Sequence, residues 1–274
     1  MANLILPARF TSQPQYLAAI DWGNPITTDL AIAVTGQDYT RNLANRVLVA
    51  ALNSVASSPG PGGIGILWTS YANSGIKLGA SDTQTLLTSA VNGAGKGLTY
   101  FVLADPVATG VARTIPFVTG GTGPENYLQF NANRSGTVTS GMFSVSVADS
   151  GVGGEIASAV DGKLHAFAVT YATSNTAPKM YWDGVDGTTA SSAAAAGLVT
   201  GAGINDYIGG YSSNGYAANG YGIYLALGWN RELSASQIKS LSDNPWQIFK
   251  APQRRLYMSS TGAAANSAIY YLRA

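Results

Sequence analysis

The sequence predicts an all-β protein built as a sandwich or a barrel, and three observations lead to this fold class. Short runs rich in Val, Ile, Thr, Tyr, Phe and Trp recur along most of the chain, as expected of strands. Gly, Pro, Asn or Asp bounds each run, which is the turn pattern of such folds. Hydrophobic residues make up 46% of the 274 residues, which is enough for a core and excludes global disorder.

Eight of these runs are the clearest strand candidates. One ends in Tyr181-Trp182-Asp183-Gly184, and Asp-Gly is a strong hairpin signal because type I′ turns need positive φ at both central residues. In chain order the candidates are residues 64–69, 98–103, 127–131, 142–147, 164–171, 179–182, 207–208 and 223–229.

One short helix is predicted over residues 234–243. Ser234 can cap its start, and Gln237 stands three residues later as the partner in a capping box. Leu233 can pack on Ile238 as a hydrophobic staple, and Pro245 ends the run. Since a helix of this length is too short to stand alone, we expect it to pack on a sheet.

Residues 40–52 leave two interpretations open. Apolar residues at positions 43, 47, 48 and 51 have the spacing of one face of a helix. The β-branched residues in the run Val47-Leu48-Val49 favour a strand instead.

The chain is interpreted as one domain in three parts. An N-terminal arm or subdomain over 1–60 is expected to pack on a sandwich over 61–245, and 246–274 form a C-terminal extension. The Gly/Ser/Pro stretches between the strand candidates lack the length and charge of a domain linker. Neither a repeat of fixed period nor a heptad pattern occurs, which argues against propellers, solenoids and fibre shafts.

Charge and composition exclude several classes of function. The 15 Lys and Arg residues nearly balance the 14 Asp and Glu residues, so the net charge of +1 gives no footprint for nucleic acid or anionic membranes. The absence of Cys excludes disulfides, thiolate metal sites and Cys nucleophiles. No window approaches the roughly 20 apolar residues of a membrane span, and no secretory signal opens the chain. We therefore expect synthesis in the cytoplasm and no membrane insertion.

Four motifs follow one another between residues 164 and 243. They are LHAFAVTY at 164–171, YWDG at 181–184, IGG at 208–210 and a final segment in which Gly222 precedes NRELSASQI at 230–238. This order resembles the strand, hairpin, strand and ending of laminin G-like, concanavalin A-like lectin/glucanase domains. The resemblance implies a two-sheet antiparallel jelly-roll sandwich with one short C-terminal helix.

The two flanks of the chain carry a second resemblance. NPWQIFK at 244–250, followed by RRLY at 254–257, is similar to an ending common in bacteriophage virion proteins. PARFT at 7–11 and DWGNP at 21–25 resemble the opening of the same group. The resemblance implies a place in the virion, with assembly in the host cytoplasm, other virion proteins as partners and a homo-oligomeric state.

Hydrolytic chemistry is expected to be absent. Glycoside hydrolysis needs two carboxyls close together, but Glu125, Glu155 and Glu232 are far apart in sequence and no E-x-D-x-E motif occurs. A Ser–His–Asp triad would have to use His165, whose place within an apolar strand favours a structural role at the sheet surface. We therefore predict that the chain is not an enzyme.

The candidate partner- or ligand-binding residues are aromatic and basic. Tyr residues set among Gly, Ser and Asn between 207 and 224 suit adaptable recognition, or else fold onto their own sandwich. The aromatic residues of the chain ends either pack on the sandwich or anchor a neighbouring subunit, with 258–274 expected to be an anchoring arm. The candidates are Tyr207, Tyr211, Tyr216, Tyr221, Trp246, Phe249, Arg254, Arg255, Tyr270 and Tyr271.

A weak metal site is also predicted. Laminin G-like domains often carry Ca²⁺ on loop carboxylates, and this hard ion prefers oxygen ligands. Asp183, Asp186 and Asp206 are the candidates, although Asp is also simply a good turn residue. Apart from this possible Ca²⁺ we expect no cofactor.

Three functions follow from these observations. The leading hypothesis is a non-enzymatic bacteriophage structural protein, a head decoration or capsid-associated protein that binds neighbouring virion subunits. The alternative is a glycan- or receptor-binding tail appendage, whose partner would be a host surface glycan. A glycan-cleaving enzyme comes third.

Overall fold

The computed structural model describes residues 10–14, 19–45, 50–51, 55–68, 76–78, 97–106, 114–120, 124–131, 142–147, 155–157, 161–172, 178–188, 205–209 and 222–250. In these residues fifteen strands form two antiparallel sheets, accompanied by one α-helix, Ala235–Asp243, and two 3₁₀ turns, Pro25–Thr27 and Pro245–Ile248. The predicted fold class, a two-sheet antiparallel sandwich with one short helix, is confirmed.

The chain crosses between the two sheets several times. In chain order they are β1 Leu30–Thr35, β2 Ala50–Ala51, β3 Val55–Gly60, β4 Gly63–Trp68, β5 Ile76–Lys77, β6 Leu98–Ala104, β7 Thr114–Gly120, β8 Pro124–Asn131, β9 Met142–Val147, β10 Glu155–Ala157, β11 His165–Tyr171, β12 Lys179–Trp182, β13 Val185–Asp186, β14 Asn205–Ile208 and β15 Ile223–Trp229. The first sheet has the order β13-β12-β11-β6-β15-β4-β3, with β1 also paired to β15. The second sheet has the order β10-β9-β8-β7-β14-β5-β2. Thus β7 to β10 are consecutive in one sheet, while β11 to β13 are consecutive in the other.

The two sheets meet through aromatic side chains. Tyr100 of β6 stacks on Phe117 of β7 with ring centroids 4.3 Å apart. Tyr171 of β11 meets the edge of the Tyr100 ring at 6.3 Å. All three side chains are buried, so these contacts fill part of the space between the sheets.

The central strands of the first sheet are buried on both faces. Every residue of β6 and β15 is buried, because the face turned away from the second sheet is covered as well. Phe101, Leu227 and Trp229 belong to a core cluster on that outer face, together with Ile238 of the helix and Trp246 of the second 3₁₀ turn. This double burial explains why these two strands are continuously apolar rather than alternating.

The helix has the capping that the sequence predicts. Ser234 is the N-cap, and its hydroxyl accepts a hydrogen bond from the backbone N–H of Gln237 at 3.3 Å. The Gln237 carboxamide oxygen accepts in return from the Ser234 N–H at 3.1 Å. Ile238 and Leu241 are buried against the first sheet, as expected of a helix too short to stand alone.

The helical interpretation of residues 40–52 is wrong wherever the structure describes them. The Asn42 side chain takes the place of a neighbouring strand beside β1: its oxygen accepts from the Ala33 N–H at 2.9 Å, and its nitrogen donates to the Ala31 carbonyl at 2.8 Å. The same oxygen accepts from the Ala44 N–H at 3.1 Å, which holds a turn. Ala50–Ala51 then form β2.

The described parts of 1–60 and 246–274 are joined to the sandwich by backbone pairing. The division of the chain into three parts stays a prediction. β1 pairs with β15, and β3 pairs with β4, so the predicted boundary at residue 60 falls at a hairpin turn. The two flanks pair with each other through Ile20 and Phe249. Residues 251–274, including the predicted arm at 258–274, lie outside the described residues.

No helix among the described residues has the length and hydrophobicity needed to cross a membrane.

Candidate functional site

The candidate site begins with an irregularity in β15. Ile223 lies opposite Ala104, and Leu225 lies opposite Leu103, so Tyr224 is an extra residue relative to β6. Such a bulge re-aims side chains that would otherwise alternate between the two faces. Tyr224 and Leu225 consequently both join the outer-face core, and the Tyr224 ring comes to lie beneath the β3–β4 hairpin.

The Tyr224 hydroxyl is fixed by a carboxylate. It donates a hydrogen bond of 2.8 Å to one oxygen of Asp105, while the other oxygen accepts from the Gly222 N–H at 2.6 Å. Burial raises the pKa of Tyr224, and the hydrogen bond and negative charge of Asp105 raise it further, whereas a backbone hydrogen bond from Gly62 opposes the rise. The phenol therefore stays protonated and remains a donor to Asp105.

Glycines let the β3–β4 hairpin lie directly on this ring. A Cβ at Gly60 would stand 2.0 Å from the Tyr224 hydroxyl, and one at Gly62 would stand 2.6 Å from its Cγ and 2.9 Å from Cδ1 of Leu164. Real side chains do not approach so closely, so only glycine allows the contact. Pro59 and Pro61 alternate with these glycines and restrict the backbone of the hairpin tip.

Gln13 fastens the N-terminal segment to the same hairpin. Its carboxamide oxygen accepts from the Ile64 N–H at 2.5 Å, and its nitrogen donates to the Ile64 carbonyl at 2.9 Å. Gln13 is buried, and Gly63 leaves room for its side chain because a Cβ there would stand 2.3 Å from the Gln13 carboxamide oxygen. The pair of bonds resembles the exchange between two strands and makes residues 11–13 a wall beside the hairpin.

Between this wall and the hairpin lies a groove of about 540 Å³. That volume is within the range of sites that hold small ligands. The groove combines hydroxyl and carboxamide groups with backbone polar groups of the hairpin tip and with apolar surface from Leu164 and Trp246. Its described lining residues are Thr11, Ser12, Gln13, Gln37, Pro59, Gly60, Pro61, Gly62, Gly63, Ile64, Leu164 and Trp246.

A histidine clamp lies next to Leu164. The Nδ1 atom of His165 is 2.7 Å from Asp183, and its Nε2 atom is 3.0 Å from Asp161. Asp183 also accepts from the Ala166 N–H at 2.8 Å. Because both ring nitrogens have partners, His165 ties the 161–163 turn to the β12–β13 hairpin, which agrees with the structural role predicted for it.

The surroundings of Asp161 lower the pKa of its carboxyl. The backbone N–H of Lys163 lowers that pKa most, and the Lys163 side chain and His165 lower it further, to about 2, although desolvation opposes the change. The carboxylate is therefore stabilised in its charged form while remaining at the surface.

Three of the aromatic residues predicted to bind a partner are buried. Tyr207 packs within the sandwich on β14. Trp246 and Phe249 stack on each other at 6.2 Å and belong to the outer-face core. Nearly all of their apolar area is covered within the chain, and Trp246 also lines the groove. That these three residues bind a ligand or partner stays a prediction. The remaining candidates lie outside the described residues: Tyr211, Tyr216, Tyr221, Arg254, Arg255, Tyr270 and Tyr271.

The three predicted metal ligands are divided between the two sheets. Asp183 and Asp186 flank the β12–β13 turn of the first sheet, where Asp183 binds His165 and Asp186 accepts from the Thr188 N–H at 3.0 Å. Asp206 lies on β14 of the second sheet, opposite Thr119. Within the described part of the chain no three acidic or histidine side chains are grouped to hold a metal ion. The Ca²⁺ site stays a prediction.

Sequence reasoning missed Gln13 and Asp105, whereas Tyr224 belongs to the Tyr-rich stretch proposed for recognition and Trp246 was a candidate. Gln13, Asp105 and Tyr224 are far apart in the chain, and nothing local marks them as partners. The signal that was present is the run Pro59-Gly60-Pro61-Gly62-Gly63 between two strand candidates, which is dense in residues for tight turns.

Comparison with known proteins relates the chain to solved structures. No protein-family model matches it, and no curated protein is similar to it in sequence. A mutant of Trypanosoma rangeli sialidase that displays trans-sialidase activity matches 81% of this chain with a TM-score of 0.61 and 15% identity. The same organism's sialidase in complex with 2,3-difluorosialic acid matches 79% with a TM-score of 0.56 and 17% identity.

A third similar structure is the binding domain of Paraclostridial Mosquitocidal Protein 1. It matches 79% of this chain with a TM-score of 0.54 and 10% identity. The chain spans 34% and 33% of the two sialidase chains and 52% of the toxin domain. At these identities the likeness establishes a shared fold.

The likeness also corrects one prediction. We predicted that the chain is not an enzyme because it lacks a carboxylate pair on one strand. The solved structures with the same fold over most of this chain include sialidases, which are enzymes. The prediction is therefore wrong as drawn.

Proposed function

We propose that the chain is a carbohydrate-binding β-sandwich and that the groove between residues 11–13, Gln37 and the β3–β4 hairpin binds the glycan. The observation that carries the proposal is the groove itself. It offers hydroxyls, carboxamides and backbone polar groups beside the apolar surface of Leu164 and Trp246. This lining matches saccharides, which have many hydroxyl groups for hydrogen bonding and small apolar faces for packing.

Contacts within the chain fix the walls of the groove in the absence of any ligand. Gln13 holds its wall, and the Tyr224 ring, fixed by Asp105, supports its hairpin. A preformed site avoids part of the entropy that binding otherwise costs. This matters for a saccharide, because each of its hydroxyls already binds water and the net gain per hydrogen bond is small.

The comparisons support the same class of function. The structures with a similar fold include a sialidase in complex with 2,3-difluorosialic acid and the binding domain of a mosquitocidal protein. The proposal therefore takes up the alternative from the sequence, a glycan- or receptor-binding appendage whose partner is a surface glycan. The place in a bacteriophage virion, with virion subunits as partners and a homo-oligomeric state, stays a prediction.

A glycan array followed by titration calorimetry tests the proposal. The full chain is compared with Gln37→Ala, which removes a lining carboxamide, and with Gln37→Trp, which fills the groove. We expect Gln37→Ala to weaken binding by up to about tenfold, the value of one hydrogen bond, and Gln37→Trp to abolish it.

Trp22→Ala is the matched control. Trp22 is the most exposed aromatic residue described, with 54% of its surface accessible, and it does not line the groove. The Trp22→Ala variant should bind the glycan with the same affinity as the unchanged chain. Binding lost in Trp22→Ala but kept in Gln37→Trp would place the site elsewhere, and a chain that binds no glycan would end the proposal.

A further inference from the structure

We infer that the groove selects uncharged saccharides over acidic ones such as sialic acids and uronic acids, an inference that rests on the proposed function. It follows from the chemical character of the lining and from a carboxylate that lies beneath the hairpin.

The polar groups of the described groove lining are neutral. Thr11 and Ser12 offer hydroxyls, and Gln37 offers a carboxamide. The Gln13 carboxamide is already committed to the Ile64 backbone at both of its polar atoms. Hydroxyls and carboxamides both donate and accept, so they match sugar hydroxyls, which also do both.

A negative charge lies beneath the β3–β4 hairpin, which forms one side of the groove. The Asp105 carboxylate is one hydrogen bond away from the Tyr224 hydroxyl, and that hydroxyl lies directly beneath Gly60. The two described donors to Asp105, Tyr224 and the Gly222 N–H, are neutral groups. Its charge therefore contributes a negative potential at the hairpin side of the groove.

An acidic sugar would meet this potential with a charge of its own. Proteins bind carboxylates through charge-assisted hydrogen bonds, above all the fork of Arg. In this groove the sugar carboxylate would exchange water for neutral groups while being repelled by Asp105. Both effects weaken binding of the acidic sugar, and neither acts on a neutral one.

The test compares saccharides that differ only in charge. The two pairs are oligogalacturonate with its fully methyl-esterified form, and 3′-sialyllactose with the methyl ester of its sialic acid carboxyl. For each pair we expect the neutral member to bind at least about tenfold more tightly, the ratio that a like charge near the surface produces.

Two variants change the charge of the site. Gln37→Arg places a cation in the lining and should improve binding of the acidic members, with smaller gain at high salt because screening weakens the attraction. Asp105→Asn removes the negative charge beneath the hairpin while keeping a side chain of the same shape. It should reduce the affinity ratio between the neutral and the acidic member of each pair. Thermal melting checks that both variants fold.

The outcomes separate the two claims. The inference is supported if the unchanged chain binds the neutral member of each pair more tightly and this affinity ratio is smaller in Asp105→Asn. If the chain binds acidic saccharides as tightly as neutral ones, the inference is overturned, and the groove is still a glycan-binding site. If the unchanged chain binds no saccharide of the array, the proposed function fails and the inference fails with it.

Discussion

The Tyr224 hydroxyl donates a hydrogen bond of 2.8 Å to Asp105 while the ring of the same side chain supports the glycine hairpin. One residue therefore connects the core of the first sheet to the base of the groove. It can do so because the bulge in β15 gives Tyr224 a direction that regular alternation would not.

Removing this hydroxyl should destabilise the protein. Tyr224→Phe leaves one Asp105 oxygen without its donor in a half-buried site, and we expect a loss of about 1–2 kcal/mol in the free energy of unfolding. Urea denaturation measures the change. Asp105→Asn should lower the free energy of unfolding less in the Tyr224→Phe variant than in the unchanged chain, because the Asp105 and Tyr224 side chains interact. Additive losses would contradict the coupling.

Adding one methyl group to the hairpin should disturb the groove. In Gly62→Ala the new Cβ meets Cγ of Tyr224 and Cδ1 of Leu164 at distances shorter than any real contact. We expect a loss of stability of about 1–3 kcal/mol and weaker glycan binding. Gly23→Ala is the matched control, since its Cβ would meet only the Asp21 side chain, at 3.3 Å. Equal losses in both variants would count against the close packing of the hairpin.

The histidine clamp predicts how stability depends on pH. The pKa of Asp161 falls from 3.8 in its unperturbed state to about 2 in the folded chain. A carboxyl with a lowered pKa contributes stability that is fully present above about pH 4 and disappears as the pH falls toward 2. The contribution is small because the group is at the surface.

Thermal melting of Asp161→Asn between pH 2 and pH 6 tests this account. The variant should melt lower than the unchanged chain at pH 6, and the two melting temperatures should converge as the pH approaches 2. A difference that stays constant over this range would show that the Asp161 charge does not contribute.

The strands were largely predictable from the sequence because their limits are local. The candidates at 142–147, 179–182 and 223–229 have the same bounds in the structure. Each is a short run rich in β-favouring residues with Asp or Asn one or two positions after its end. The helix was equally predictable, since the capping box lies within four consecutive residues.

The groove was not predictable, since every contact that builds it joins distant parts of the chain. Gln13 reaches Ile64, and Asp105 reaches Tyr224. Trp246 and Phe249 show a related limit. An aromatic side chain near a chain end is expected to be buried, but the sequence does not say whether its own chain or a neighbour covers it, and here its own chain does.

Nuclear magnetic resonance of the full chain during titration with a neutral oligosaccharide tests the central claim most directly. The signals to follow are the side-chain amide of Gln37, the backbone N–H groups of Gly60, Gly62 and Gly63, and the indole N–H of the exposed Trp22 as an internal reference. We predict that the Gln37 and glycine signals shift together with one saturation curve while the Trp22 signal stays in place. Binding that shifts Trp22 and leaves the hairpin glycines unchanged would contradict the assignment of the groove as the glycan site.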